Sequence, residues 1–142
     1  MTDIETAVRA LDGHSIALVR NGEVITHDGR GISPMLTLIG SGTDLRGYSV
    51  ADIIVGKAAA MLFVKAGIAA VYARTVSRMG LDYLNAHGIP CDYDTLTDNI
   101  INREGTDICP MEKTVLNVDD YETGYALLLE KRRSLMAKAH SE

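Results

Sequence analysis

The amino-acid sequence predicts one α/β domain spanning residues 1–142. Short apolar segments of strand type alternate along the chain with segments that have helical periodicity, and this alternation is typical of α/β proteins. No Pro/Gly/Ser-rich linker, internal repeat or low-complexity tract divides the sequence. A chain of 142 residues is long enough for one substantial hydrophobic core and too short for two comfortable ones.

The amino-terminal part predicts a short helix followed by a β-hairpin. Residues 1–11 have the apolar spacing of an amphipathic helix. Residues 14–20 and 24–27 predict two strands joined by Asn21-Gly22, a dipeptide that favours the tight turn of a hairpin. Residues 40–47 contain three glycines, so we expect a flexible loop before the next element.

The central apolar stretch predicts a helix over residues 50–66. Ser49 resembles an N-cap, because its hydroxyl can accept a backbone N–H and Asp52 follows at the spacing of a capping box. Gly67 is then the left-handed residue that ends the helix.

The second half of the chain predicts a further alternation of strands and helices. Pro110 fits the first position of a short helix, and Asp119 or Asp120 is expected to cap a final helix that reaches Met136. On that helix, the expected packing residues are Leu127, Leu128, Leu135 and Met136. The other predicted elements are a buried strand over 68–73, a helix over 77–87 ending at Gly88, a strand from 91 to 93 and a helix over 97–103.

Composition excludes some classes of partner and favours a cytoplasmic protein. The net charge of −5 provides no broad attraction for nucleic acid or an anionic membrane, so we expect neither as a partner. The basic run Lys131-Arg132-Arg133 is interpreted as a solvated helix end. No apolar stretch has the form of a signal peptide or a membrane span, and two cysteines without disulfide spacing favour a reducing compartment.

Lys57 is the first candidate catalytic residue, because the predicted helix around it is otherwise apolar. A buried ammonium group needs a partner or loses its proton. Gly56 beside it lowers helix propensity, which suggests that another group approaches the backbone there. Lys57 therefore either lines a pocket and meets an anionic or carbonyl group, or extends along the helix to the surface.

Cys109 is the second candidate catalytic residue, since Pro110 at the first helical position makes Cys109 the N-cap and Glu112 the N3 residue. Free backbone N–H groups at such a position lower a thiol pKa and can bind an anion. The alternative is an ordinary helix start in which Glu112 satisfies the amide donors. Asn102 and Arg103 upstream add an amide and a guanidinium group as candidate ligand contacts.

A zinc site is not predicted. Pro90-Cys91 matches half of the Pro-Cys-x-x-Cys motif of nucleobase deaminases, but Asp94 occupies the second ligand position. His140-Ser141-Glu142 matches the His-x-Glu motif, yet it follows where the fold requires it to precede. The remaining histidines show no ligand spacing, and no phosphate or dinucleotide motif is present, so neither a metal nor a cofactor is expected.

Several blocks together resemble a small bacterial and archaeal family of unknown function. That family is similar in fold to the cytidine deaminases, a three-layer sandwich with a mixed β-sheet flanked by helices, but lacks the zinc ligands. The resemblance implies that the helix with Lys57 replaces the deaminase helix that carries His-x-Glu, so that Lys57 faces the ligand cleft. The blocks are residues 29–36, Asp52, residues 55–60, residues 71–73, Ser77, Asn102-Arg103 and Cys109-Pro110-Met111-Glu112.

Two functional hypotheses follow from the residues and the resemblance. The first is a protein without deaminase activity that binds a small anionic or nucleotide-like ligand in a metal-free cleft. The second is a metal-free enzyme that uses Lys57 and Cys109 on such a molecule. By analogy with deaminase-like domains, a homodimer is possible. The expected ligand-binding residues are Asp52, Gly56, Asn102, Arg103 and Glu112.

Overall fold

The computed structural model describes residues 1–141, with side chains for residues 1–138. This part of the chain forms six helices and five strands. In chain order they are α1 (Asp3–Ala10), β1 (Ile16–Arg20), β2 (Glu23–His27), α2 (Ser33–Gly40), β3 (Ser49–Val55), α3 (Lys57–Ala66), β4 (Ala70–Ser77), α4 (Arg78–Ala86), β5 (Cys91–Thr97), α5 (Pro110–Val115) and α6 (Tyr121–Ser141).

The five strands form one mixed sheet in the order β2-β1-β3-β4-β5. The hairpin β1–β2 and the pair β1–β3 are antiparallel, whereas β3, β4 and β5 run parallel. Parallel neighbours need a crossover, and the helices α3 and α4 supply the two crossovers. The predicted α/β class with a mixed sheet is therefore confirmed.

Helices cover the two faces of the sheet unequally. Alternate residues of a strand point to opposite faces. On one face, Ala17 and Ala51 pack with Ala7 of α1 and with Leu11, the C-cap residue of that helix. On the other face, Leu18 and Val50 belong to a larger core that includes buried side chains of α2, α3, α4, α5 and α6. The central helix α3 has six consecutive buried residues, from Ala58 to Phe63, and so forms the middle of that core.

The predicted helix over residues 50–66 is wrong in its first half, which forms strand β3. Val50, Ile53, Ile54 and Val55 are β-branched and fit a pleated surface better than a helix. A short apolar run does not by its periodicity separate a doubly covered strand from a buried helix. The predicted end of the helix is confirmed, because Gly67 has a φ of 76° in the left-handed region.

The later elements are partly as predicted. Ser77 caps α4, Pro110 begins α5, and Asp120 accepts the amide of Thr123 at the start of α6. The predicted helix over residues 97–103 is wrong, because β5 extends to Thr97 and is followed by a loop. Within that loop, Ile101 and Ile108 form one isolated bridge.

The packing face predicted for α6 is largely wrong. Leu128 is fully buried, but Leu127, Leu135 and Met136 are 40%, 36% and 55% exposed. Within the described residues, no helix is both long enough and apolar enough to span a membrane.

Candidate functional site

A cleft of about 870 Å³ opens on the sheet face that carries the larger core. Its walls come from segments that are far apart in the sequence: the 28–33 loop before α2, the end of β3, the loop at 101–104, the start of α5, and α6. Apolar side chains, among them Ile32, Ile54, Ile101, Met111 and Leu135, line it together with several charged groups. A concave site with apolar walls and few polar groups is typical of small-molecule binding.

Asp52 is the buried acid of this cleft. It lies in β3 between Ile16 of β1 and Ala73 of β4, and it is only 7% exposed. Its Oδ1 atom accepts the neighbouring amide of Ile53 at 2.8 Å. Burial raises the pKa of Asp52 to about 7, and hydrogen bonds from the amides of Ile53 and Ile54 only partly offset this rise. Among the described side chains, no cation forms an ion pair with Asp52.

Three arginines from different segments line the same cleft. Arg132 of α6 is held in place, because its Nη1 atom donates to Thr37 Oγ1 at 3.1 Å and to Ser33 Oγ at 3.3 Å. The exposed side chains of Arg30 and Arg103 have no hydrogen bond or ion pair with the described part of the chain. Their guanidinium groups are available to a ligand.

The loop that carries Arg103 is shaped by Asn102. The Oδ1 atom of Asn102 accepts the amide of Thr106 at 3.0 Å, and its Nδ2 atom donates to Thr106 Oγ1 at 3.2 Å. The amide of Asn102 donates to the carbonyl of Asp107 at 2.8 Å. Asn102 therefore orders the turn that presents Arg103 at the edge of the cleft.

Cys109 lines the cleft at the start of α5. Its predicted place as the N-cap residue is confirmed, but its side chain makes no capping hydrogen bond. The backbone holds the residue instead, with the Cys109 amide donating to the Ile100 carbonyl at 2.9 Å. Both cysteines are free thiols and partly buried.

We expect Cys109 to react with iodoacetamide about tenfold faster than Cys91 at pH 8. Burial, followed by the charge of Asp92, raises the pKa of Cys91 to about 11. Such a rise reduces the thiolate fraction about 100-fold, and the greater nucleophilicity of a more basic thiolate recovers part of the rate. Mass spectrometry of the single-thiol variants Cys91→Ser and Cys109→Ser measures the two rates. Equal rates, or faster labelling of Cys91, would contradict this expectation.

Lys57, Gly56 and Glu112 lie outside the lining of this cleft, in a cluster that we call the α3–α5 junction. The prediction that Lys57 lies in the middle of a helix is wrong: it is the first residue of α3, and Gly56 is the N-cap. The side chain of Glu112 accepts the amides of Lys57 and Ala58, both at 2.8 Å. In return, Lys57 Nζ donates to the carbonyl of Leu116, at the end of α5, at 3.3 Å.

The α3–α5 junction is sterically tight. A Cβ atom on Gly56 would lie 2.1 Å from Glu112 Oε1, and one on Gly80 would lie 2.8 Å from the carbonyl carbon of Gly56. Burial raises the pKa of Glu112, although the amides of Ala58 and Lys57 and the charge of Lys57 partly offset this effect. A partly buried carboxylate thus accepts the free amide donors at the start of α3, where an external anion would otherwise bind.

The structure brings together some of the sequence-predicted residues and separates others. Asp52, Asn102, Arg103 and Cys109 meet at the cleft, whereas Gly56, Lys57 and Glu112 form the junction beside it. Sequence reasoning missed Arg30 and Arg132 as cleft residues. The prediction that Arg132 belongs to a solvated helix end is wrong, because this residue is half-buried against α2. The only sequence signal for Arg30 was its place in the 29–36 block.

Comparison with protein families identifies the chain. The model of a domain of unknown function, DUF1893, matches residues 7–132. This chain belongs to the DUF1893 family. The family resemblance inferred from the sequence is therefore confirmed.

Solved structures include another DUF1893 protein. The DUF1893 family protein from Thermotoga maritima is 27% identical, with a TM-score of 0.84 over 91% of this chain and 89% of that chain. None of the curated proteins compared with this DUF1893 chain matches it.

Two deaminases of the cytidine-deaminase-like fold are more distant structural neighbours of this DUF1893 protein. The first is the diaminohydroxyphosphoribosylaminopyrimidine deaminase/5-amino-6-(5-phosphoribosylamino)uracil reductase of Thermotoga maritima. It is 16% identical, with a TM-score of 0.46 over 65% of this chain and 35% of that chain. The second is the dCMP deaminase of the cyanophage S-TIM5, which is 15% identical, with a TM-score of 0.44 over 64% of this chain and 93% of that chain. In the described part of the DUF1893 chain, no three His, Cys, Asp or Glu side chains are grouped so as to hold a metal ion.

Proposed function

We propose that this DUF1893 protein binds a small anionic, nucleotide-like molecule in the cleft and does not act as a deaminase. The observation that carries the proposal is the pair Arg30 and Arg103. Both line one cleft from separate loops, and neither guanidinium group has a partner in the described part of the chain. Guanidinium groups bind phosphate and carboxylate oxygens in a bidentate manner, with more specificity than a lysine provides.

The walls of the cleft support the same class of ligand. Ile54, Ile101 and Met111 offer apolar surface close to the charged groups. A molecule with a flat or apolar body and a charged end, such as a nucleoside monophosphate, would use both kinds of surface. The absence of deaminase activity is proposed from the sequence. The Pro-Cys-x-x-Cys half of the deaminase zinc motif lacks its second cysteine, and the His-x-Glu half follows it where the fold requires it to precede.

We expect Arg103→Gln to weaken binding of a nucleoside 5′-monophosphate about 10- to 100-fold, because one charge-assisted hydrogen-bond pair is lost. Isothermal titration with the adenine, guanine, cytosine and uracil monophosphates measures the effect. Arg74→Gln is the matched control, since Arg74 is also exposed but lies outside the cleft. Equal affinities of the two variants, or no binding by the wild type together with no anion in native mass spectra of the purified protein, would contradict the proposal.

A metal-free enzyme is the second candidate function. The specific observation in its favour is that Cys109 and Asp52 line the same cleft, and that burial raises the pKa of Asp52 to about 7. A group with such a pKa can serve as a general acid or base at neutral pH. In this enzyme hypothesis, Asp52 replaces Lys57 as the catalytic partner of Cys109. The enzyme hypothesis would be supported if the wild type turned over a bound nucleotide and Cys109→Ala bound it without turnover.

We also propose a cytoplasmic location, which the two free thiols support. A homodimer stays a prediction, for which light scattering of the purified protein is the measurement.

A further inference from the structure

We propose that the ligand of the cleft is zwitterionic, with an anionic group at Arg30 and Arg103 and a protonated amine against Asp52. This inference rests on the proposed binding of an anionic group in the cleft, and it adds a cationic group to the ligand. It follows from the balance of charges in the cleft and from the depth at which each charge lies.

The charges that line the cleft balance. Three arginines face three carboxylates, which are Asp28, Asp52 and Glu104. Two of the six groups already have side-chain partners: Asp28 pairs with His14 at 2.6 Å, and Arg132 donates to Thr37 of α2 at 3.1 Å. Four groups are left for a ligand, namely Arg30, Arg103, Glu104 and Asp52. A purely anionic molecule would match only half of them.

The depth of the charges gives the ligand an orientation. Arg30, Arg103 and Glu104 are exposed, whereas Asp52 is buried on the strand. An ionised carboxylate in such a place is costly unless a cation compensates it. Since the anionic end meets the exposed arginines, the amine is the end that reaches inward.

Three basic side chains around the cleft have partners other than Asp52. His14 is paired with Asp28 at the loop before α2, and Arg132 is directed at Ser33 and Thr37. Lys57 follows β3 after Gly56, but its ammonium group donates to the carbonyl of Leu116 at the end of α5. The buried carboxyl group of Asp52 is therefore the acceptor that the protein itself does not neutralise.

The electrostatics of Asp52 agree with this arrangement. Burial holds the pKa of Asp52 near 7, and an ammonium group in contact would lower it, so binding below pH 7 should release a proton. The other charged or titratable groups facing the cleft are Arg30 and the Asp28–His14 pair on one loop, Arg103 and Glu104 on another, Cys109 at α5, and Arg132 on α6.

The test compares two phosphates that differ only in the amine, phosphoethanolamine and ethyl phosphate, at pH 8. Isothermal titration or saturation-transfer NMR should show that the wild type binds phosphoethanolamine about tenfold or more tightly than ethyl phosphate. Asp52→Asn and Asp52→Ser should remove this preference. Asp92→Asn is the matched control, since Asp92 is an exposed strand carboxylate outside the cleft.

The outcomes separate this inference from the proposed function. If the wild type binds the two phosphates equally and Arg103→Gln weakens both, the inference of a zwitterionic ligand is wrong but the proposal of an anion site is supported. A preference that persists in both Asp52 variants would overturn the role of Asp52. Failure of both phosphates and of the nucleoside monophosphates to bind would overturn the anion site as well.

Discussion

Replacing Gly56 with alanine is expected to lower the free energy of unfolding by about 3–5 kcal/mol. The added Cβ atom would lie 2.1 Å from Glu112 Oε1 and 2.4 Å from its Cδ. The carboxylate must then leave the amides of Lys57 and Ala58, so two partly buried charge-assisted hydrogen bonds are lost. The backbone at Gly56 is extended and accessible to any residue, so the cost is steric.

A double-mutant cycle in urea unfolding checks this account. Glu112→Ala should itself be destabilising. In the Glu112→Ala background, however, Gly56→Ala should lower the free energy of unfolding much less, because the carboxylate that the new Cβ atom would displace is absent. Gly40→Ala is the control, since its Cβ atom would meet only the Tyr125 hydroxyl, at an ordinary 3.6 Å. Additive effects of the Gly56 and Glu112 substitutions would show that the contact between these two residues does not cause the destabilisation.

Asp52→Asn is expected to stabilise the protein by up to about 4 kcal/mol at pH 8, with little effect at pH 4. The pKa of Asp52 is raised from an ordinary value of 3.8 to about 7. Between these values the folded protein keeps the proton that the unfolded chain has lost. Stability therefore falls as the pH rises from about 4 to 7, and asparagine removes this loss because it has no charge to bury.

Chemical unfolding of wild type and Asp52→Asn at pH 4, 6 and 8 measures the difference. Asp92→Asn is the control, and its effect should be small at every pH because its carboxylate is exposed. A wild type that is as stable as Asp52→Asn at pH 8 would mean that Asp52 already has a cationic partner or enough solvent. A wild type that is less stable than Asp52→Asn at pH 8 is consistent with retention of Asp52 for binding.

The candidate site could be predicted only in part. Cys109 and Arg103 were found because helix-start chemistry and a short polar motif mark them locally. Asp52 was selected for a different reason, as a capping residue of a helix that does not begin there. Its raised pKa comes from burial in the sheet between β1 and β4. The sequence pattern of residues 49–55 does not indicate that burial.

Lys57 carries a local sequence signal whose structural partner is distant in the sequence. The sequence predicts that another group approaches the backbone of Gly56, and in the structure that group is the side chain of Glu112. The group that accepts the amide of Lys57 is a carboxylate from 55 residues further along the chain. One sequence without a contact map does not connect the two positions, because the pairing is created by the docking of α5 on α3.

The sequence by itself determined the α/β class, the β-hairpin at Asn21-Gly22, the end of α3 at Gly67 and the start of α5 at Pro110. These features depend on local backbone chemistry, which each segment carries with it. Only the tertiary structure decided that residues 49–55 are a strand, that Glu112 closes the start of α3, and that Arg30, Asp52, Arg103 and Arg132 surround one cleft. Those features depend on burial and on contacts between distant segments, and their energies exist only once the sheet and helices have packed together.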